Sequence, residues 1–243
     1  MSIWRRMAMS GLALGLVGAS QAASVARMSP MGAVSGVRQI TVVFAQSVAP
    51  LGDIRQDDPF TVNCQGDVPK GAGRWSTDKV WVYDFEDDVG PGVRCQITSR
   101  ASWTPKLNAA GRLAATSFAF QTGGPFVRQI WPSGGELEED QHFLLMLNGA
   151  ADEASVQAQT HCEVEGIGER VPVQIVSGAL REKLLKQRGL QGARAQRALL
   201  MHCQRPLPNG ARMRLVWGAG IAAKGLPTLV SQQPQVFDYR VRK

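Results

Sequence analysis

Long apolar runs are scarce in this chain, and histidine and cysteine are few, with three and four residues among 243. The most apolar stretch, Met7 to Val17, is about half of the ~20 residues that a membrane-spanning helix needs, which argues against a permanent anchor. No serine stands in a Gly-x-Ser-x-Gly elbow, and the histidines fall beside cysteines or at a strand start. No nucleophilic triad can therefore be read from the chain, and it is not expected to be an enzyme. Lys/Arg-rich tracts are missing too, so nucleic acid is not an expected partner. Helical periodicity is almost absent.

What is present begins with Arg5 and Arg6, ahead of the apolar stretch, and the small residues Gly18, Ala19, Ser20 and Ala22 behind it. That order is a secretory signal peptide over 1–22, with cleavage after Ala22 or Ala23. The expected location is periplasmic or secreted. The arginine pair also fits a twin-arginine route. The first cysteine is Cys64, so a lipidated cysteine at the cleavage point is not expected. The formal charge is +7; removing two arginines with the leader leaves 25 Lys+Arg against 20 Asp+Glu, or +5. Such a modest excess allows weak contact with an anionic envelope surface.

Two stretches open alike, Val37-Arg-Gln-Ile40 and Val127-Arg-Gln-Ile130. Each is followed by short β-branched or alternating runs, a cysteine, and a Pro-Gly or Pro-Asn-Gly turn. This reads as two copies of one module: residues 23–36 a flexible leader, 37–124 the first domain and 125–243 the second. Strands are expected at Ile40–Phe44, Phe60–Cys64, Lys79–Phe85, Val93–Ser99 and Leu113–Thr122. In the second copy they are expected at Gln141–Leu147, Ser155–Val164, Val171–Ser177, Ala198–Cys203, Arg212–Trp217 and Gln235–Arg242. Short strands punctuated by Gly/Pro turns predict an all-β chain of two tandem Ig-like antiparallel sandwiches. One exception is Leu180, Leu184, Leu185 and Leu190 among Arg181, Lys183, Lys186 and Arg188, which predicts a short basic amphipathic helix on a sandwich edge.

Four cysteines allow three pairings, and the repeat favours Cys64 with Cys95 and Cys162 with Cys203, at equivalent places in the two copies. Separations of 31 and 41 residues make each closure worth about 3 to 4 kcal/mol in the chain-entropy account. The rival use is a Cys₂His₂ metal site from His161-Cys162 and His202-Cys203. It is disfavoured because adjacent strand residues point to opposite faces. His142 reads as an exposed strand-start residue. Glu136, Glu138, Glu139 and Asp140 form the densest acidic cluster, but Gly134-Gly135 before them marks a solvated turn. Of the six tryptophans, Trp75, Trp81 and Trp217 sit in strand patterns that favour core packing, whereas Trp103 and Trp131 lie near turns as candidates for exposed contacts.

Several strings carry a family resemblance: Gly73-Arg-Trp75, Trp81-Val-Tyr-Asp-Phe85, Gly92-Val-Arg-Cys95, Phe118-Ala-Phe-Gln-Thr-Gly-Gly-Pro125, Asp140 through Asn148 with Asp152, and Leu207-Pro-Asn-Gly through Leu215-Val-Trp-Gly218. In this order and spacing the chain resembles the N-terminal part of a bacterial alpha-2-macroglobulin family protein. The resemblance implies macroglobulin-type β-sandwich modules, a role in protease trapping and envelope defence, and protein partners such as further modules, proteases or envelope proteins. The family's reactive Cys-x-Glu-Gln thioester is not matched at Cys64, Cys95, Cys162 or Cys203. A non-enzymatic scaffold or binding protein (endopeptidase-inhibitor type) without cofactor or metal is therefore expected. The alternative is an envelope adhesin or glycan-binding module. A thiol assay on the denatured, unreduced secreted chain is expected to find no free thiol; two or more per chain would contradict the pairing.

Overall fold

β-branched and aromatic residues at alternate positions set the strands of the first half. A computed structural model describes residues 22–50, 52, 56–107 and 111–243; residues 1–21 of the expected signal peptide lie outside the described residues. The first strands are Val25–Ser29 (β1), Gly32–Val34 (β2), Gln39–Phe44 (β3) and Phe60–Gln65 (β4). Gly71–Trp75 (β5), Val80–Phe85 (β6), Arg94–Ser99 (β7) and Ser117–Thr122 (β8) follow. They form two four-stranded sheets, ordered β1-β3-β6-β5 and β2-β8-β7-β4. β7 and β8 alternate strictly, burying Cys95, Ile97, Phe118 and Phe120 and exposing Arg94, Gln96, Ala119 and Gln121, as a period of two requires. Across the core they meet Ile40, Val42, Phe44 and Trp81. Trp81 is fully buried, and its indole N–H donates to Asp58 at 2.9 Å, so its polar edge is satisfied.

Residues 23–36 are not a leader. They supply an edge strand to each sheet, β1 antiparallel to β3 and β2 parallel to β8. Neither segment alternates in hydrophobicity, because an edge strand held by backbone hydrogen bonds buries little; the neighbouring strand makes it a strand, not its own pattern.

The second half contains Val127–Trp131 (β9), Glu136–Leu137 (β10), His142–Leu147 (β11), helix Glu153–Gln159 (α1), Thr160–Val164 (β12) and Val171–Val176 (β13). Two helices, Ala179–Gln187 (α2) and Gly192–Gln196 (α3), precede Ala198–Cys203 (β14), Arg212–Trp217 (β15), Ala222–Ala223 (β16), Leu226–Val230 (β17) and Gln235–Val241 (β18). The main strands run β10-β18-β15-β12-β13-β14-β11-β9, and β16 and β17 form a ribbon of their own. The sheet folds over at β13, where Val171 and Pro172 pair with β12 but Val173 to Val176 pair with β14. Its two arms then enclose one core, Phe143, Leu145 and Met201 against Leu215, Trp217 and Val241.

Cys64 is bonded to Cys95, its direct partner across β4 and β7, with Cα atoms 4.0 Å apart. Cys162 is bonded to Cys203, joining β12 to β14 past the intervening β13, with Cα atoms 6.1 Å apart. The two bridges are thus not at equivalent places: one lies within a sheet and the other ties the two arms. Nor are the shared Val-Arg-Gln-Ile strings equivalent, since β3 is an interior strand and β9 an edge.

A single inserted helix was expected in this half, and three are present. Glu153–Gln159 is helical rather than the start of a strand, because the Asp152 carboxylate accepts the Ser155 backbone N–H at 2.9 Å and caps the first turn. The strand begins only at Thr160.

The halves meet around Gly124, whose N–H donates to the Val230 carbonyl at 3.2 Å. Arg128 pairs with buried Asp88 across the same junction, and Arg197 reaches Asp67 at 3.3 Å. A Cβ at Gly124 would stand 2.2 Å from the Val230 carbonyl carbon, which backbone cannot easily yield. Gly124→Ala is expected to lower unfolding stability by about 1–3 kcal/mol or more in urea titration. Gly168→Ala, with nothing within 4 Å of the new methyl, is expected to stay within about 0.5 kcal/mol.

Candidate binding groove

β11 and β14 are apolar on both faces. Leu145 and Met201 point into the sandwich core, whereas Leu144, Ala198 and Leu200 belong to a second cluster on the outer side. An outward apolar row in water must be covered, and α2 with the turn that follows it covers it through Leu185 and Leu190. The amphipathic segment therefore lies on an outer sheet face instead of a sandwich edge. Arg181 fastens it, donating to the carbonyls of Ala195 at 2.6 Å and Ala198 at 3.0 Å. At the far end of α2 the Arg188 guanidinium sits 5.1 Å from the centre of the Trp131 ring, a cation–π contact that pins the helix to β9.

The cover is incomplete. A groove of about 440 Å³ remains between α2 and the strands, with Leu144 and Leu200 in its floor and Leu180, Leu184 and Trp131 along its sides. Glu138, Asp140 and His142 line its mouth. Leu180 is 42% exposed, a large apolar side chain left in water on the groove wall. Beneath the Trp131-Pro132 end, buried Tyr239 donates its hydroxyl to the Pro132 carbonyl at 2.8 Å and packs on Phe143 with ring centres 5.3 Å apart.

The fold brings four separately read features to this place: Trp131, His142, part of the acidic cluster and the amphipathic helix. The acidic residues Glu136, Glu138, Glu139 and Asp140 are all exposed, as expected of a solvated turn, but the segment is anchored. Leu137 between them is fully buried, Glu136 and Leu137 pair with β18, and Glu138 binds Arg242 at 2.5 Å. Trp103, expected at the surface, is buried. Its ring stacks 5.8 Å from Phe44 and 5.9 Å from Trp75, and its N–H donates to the Asp57 carbonyl at 3.0 Å. A nearby turn does not expose a tryptophan that other aromatic rings can enclose. The Cys₂His₂ reading fails because both sulfurs are consumed in a disulfide. His161 instead lies 3.4 Å from Glu163, which also holds Arg214 at 2.6 Å. Among the described residues, no three or more His, Cys, Asp or Glu side chains gather as a metal site.

The groove itself was not anticipated. One signal was available: Leu144-Leu145 and Leu199-Leu200 are consecutive apolar residues within strands, and a strand apolar on both faces requires a covering layer. Another basin of about 420 Å³ lies on the outer face of β4, β7 and β8, where Asn63, Gln65, Arg94, Gln96 and Gln121 mix with Ala33 and Ala119.

No protein-family model matches the chain, and no curated protein sequence matches it. Among solved structures it is similar to the L,D-transpeptidase LdtMt1 in complex with imipenem, at 15% identity over 65% of this chain and 56% of that one, with a TM-score of 0.33. It is also similar to the N-terminal part of the bacterial S-layer protein SbsC, at 12% identity over 93% of this chain and 45% of that one, with a TM-score of 0.30. The Yersinia pseudotuberculosis adhesin InvE matches at 11% identity over 90% and 58%, with a TM-score of 0.24. The chain spans 56% to 59% of the length of the first transpeptidase structures it matches. These matches correct one expectation. Enzymes, the L,D-transpeptidases, stand among the similar structures, and a non-enzymatic character is not maintained. Likeness at this level transfers no residue role and no reaction to this chain.

The chain is thus a mostly β protein with β-sandwich cores and two disulfides, the sulfur usage of an oxidising compartment. Among the described residues no helix is long and apolar enough to cross a membrane.

Burial pushes the Tyr239 phenol from 10.0 up to about 12. The folded chain then keeps its proton over a range where the unfolded chain has lost it, so stability is intact below pH 10 and declines as pH climbs toward 12. Tyr239→Phe is expected to flatten that alkaline decline in denaturant titrations at stepped pH. An unchanged slope would show that Tyr239 is not its source.

Proposed function

We propose that this chain is a periplasmic binding protein, two tandem macroglobulin-type Ig-like sandwiches braced by disulfides, whose α2 groove takes a segment of a protein partner. The observation that carries this reading is the uncovered apolar trough itself: Leu144, Leu180, Leu184, Leu200 and Trp131 beside Glu138 and Asp140. Apolar surface left open in a concave site, rimmed by polar groups, marks an interaction site more often than a packing fault. Its chemistry favours a partner segment with a bulky apolar side chain for the trough and a neighbouring Lys or Arg for the acidic mouth. The alpha-2-macroglobulin resemblance supports the same reading, with a further macroglobulin module or a protease as partner. Two buried or part-buried disulfides and the expected signal peptide support an extracytoplasmic address.

Synthetic peptides of equal length, one alternating Leu with Lys and one alternating Leu with Glu, test the groove through the fluorescence of Trp131. The Lys peptide is expected to bind at least tenfold more tightly, Asp140→Lys to erase that preference, and Leu180→Ser to weaken binding about fivefold with Tm little changed. Equal binding of both peptides, or binding indifferent to Leu180 and Asp140, would remove the groove from the reading. Binding of peptidoglycan fragments instead of either peptide would favour the glycan-binding alternative.

A further inference from the structure

We propose that His142 and His202 form a chelating site for a divalent transition-metal ion of the Cu²⁺ or Zn²⁺ type. The two residues are direct partners in the antiparallel β11–β14 register, on the outer face of the sheet. Their rings lie with centroids 5.1 Å apart and planes inclined by 45°. Nδ1 of His142 is 3.1 Å from the Asp140 carbonyl oxygen, and Nδ1 of His202 is 2.8 Å from the Cys203 carbonyl oxygen. A carbonyl oxygen only accepts, so each Nδ1 carries the ring proton. A neutral imidazole has one N–H, and both Nε2 atoms therefore present lone pairs. Anchoring one ring nitrogen to a carbonyl is the arrangement by which proteins orient metal-ligating histidines and fix their tautomer.

The spacing suits the task. Metal–nitrogen bonds of about 2.0–2.1 Å place two ligand nitrogens roughly 3 to 4 Å apart, a span within reach of rings at this separation. Gln174 is opposite His202 on the next strand, exposed in the same cross-strand row, and offers a side-chain oxygen. The remaining positions are left to water or an incoming ligand, and His142 itself lines the groove mouth. Imidazole donors with few constraints favour Cu²⁺ over Zn²⁺. His161 is the internal contrast: it stands beside Glu163, away from any second imidazole partner. The chelate does not depend on what the groove binds.

The test is titration of the tag-free chain with Cu²⁺, read by calorimetry and electron paramagnetic resonance. One ion per chain is expected, with a spectrum showing two nitrogen ligands. His142→Gln and His202→Gln should each weaken binding at least tenfold, and His161→Gln should leave it unchanged. Where a variant does not fold, histidine ring NMR signals of the unaltered chain under Zn²⁺ decide: those of His142 and His202 must shift together while those of His161 stay. Binding no tighter than that of the doubly substituted chain, loss of binding through His161→Gln alone, or separate responses of His142 and His202 would each overturn the site.

Discussion

The double pairing of β13 is the constraint from which the second half takes its shape. One strand cannot continue flat between β12 and β14 and also bring their far neighbours face to face; by giving two residues to β12 and four to β14 it turns the corner. The backbone groups stay paired through the turn, which is what makes a bend in a sheet tolerable. Cys162 and Cys203 then join the strands on either side of it. With the corner held, Trp217 and Leu215 lie over Phe143 and Leu145, and burial of those side chains stabilises the closed arrangement.

The groove follows from the same geometry. Folding the sheet commits one face of β11 and β14 to the inner core and leaves Leu144 and Leu200 on the outside. The helices inserted between β13 and β14 are the nearest chain able to cover them, since they leave one strand and enter the next on that face. Two short helices shield the row incompletely, so a trough lined by apolar side chains opens beside Trp131 and His142, where the acidic loop arrives. The junction of the halves rests on different physics: close backbone approach at Gly124 and charge pairing of Arg128 with Asp88. A glycine with no room for a methyl is a stronger constraint there than the exposed Arg197–Asp67 ion pair.

Strands with clear alternation were legible residue by residue. β7 and β8 announce themselves by which side chains can be buried, and the Gly and Pro residues before β7 and after β8 mark where they end. β1 and β2 were not, because an edge strand of mixed polarity depends on a partner distant in the chain. The helix over Glu153–Gln159 was hidden by its brevity, its one clear signal being the Asp152 cap. Trp103 misled because nearness to a turn says nothing about which rings will close around it.

By itself the chain's order of residues determined the β character, the turns, the scarcity of catalytic motifs and the presence of an amphipathic segment, since each of these rests on local periodicity and composition. Tertiary structure alone decided that the amphipathic segment covers the outer face of β11 and β14, that Trp131 meets Arg188, and that His142 faces His202. The last two of these encounters join residues about 60 positions apart in the chain. Strand register sets them, and register is chosen by the summed burial and hydrogen bonding of a whole sheet, a quantity that no short stretch of residues contains.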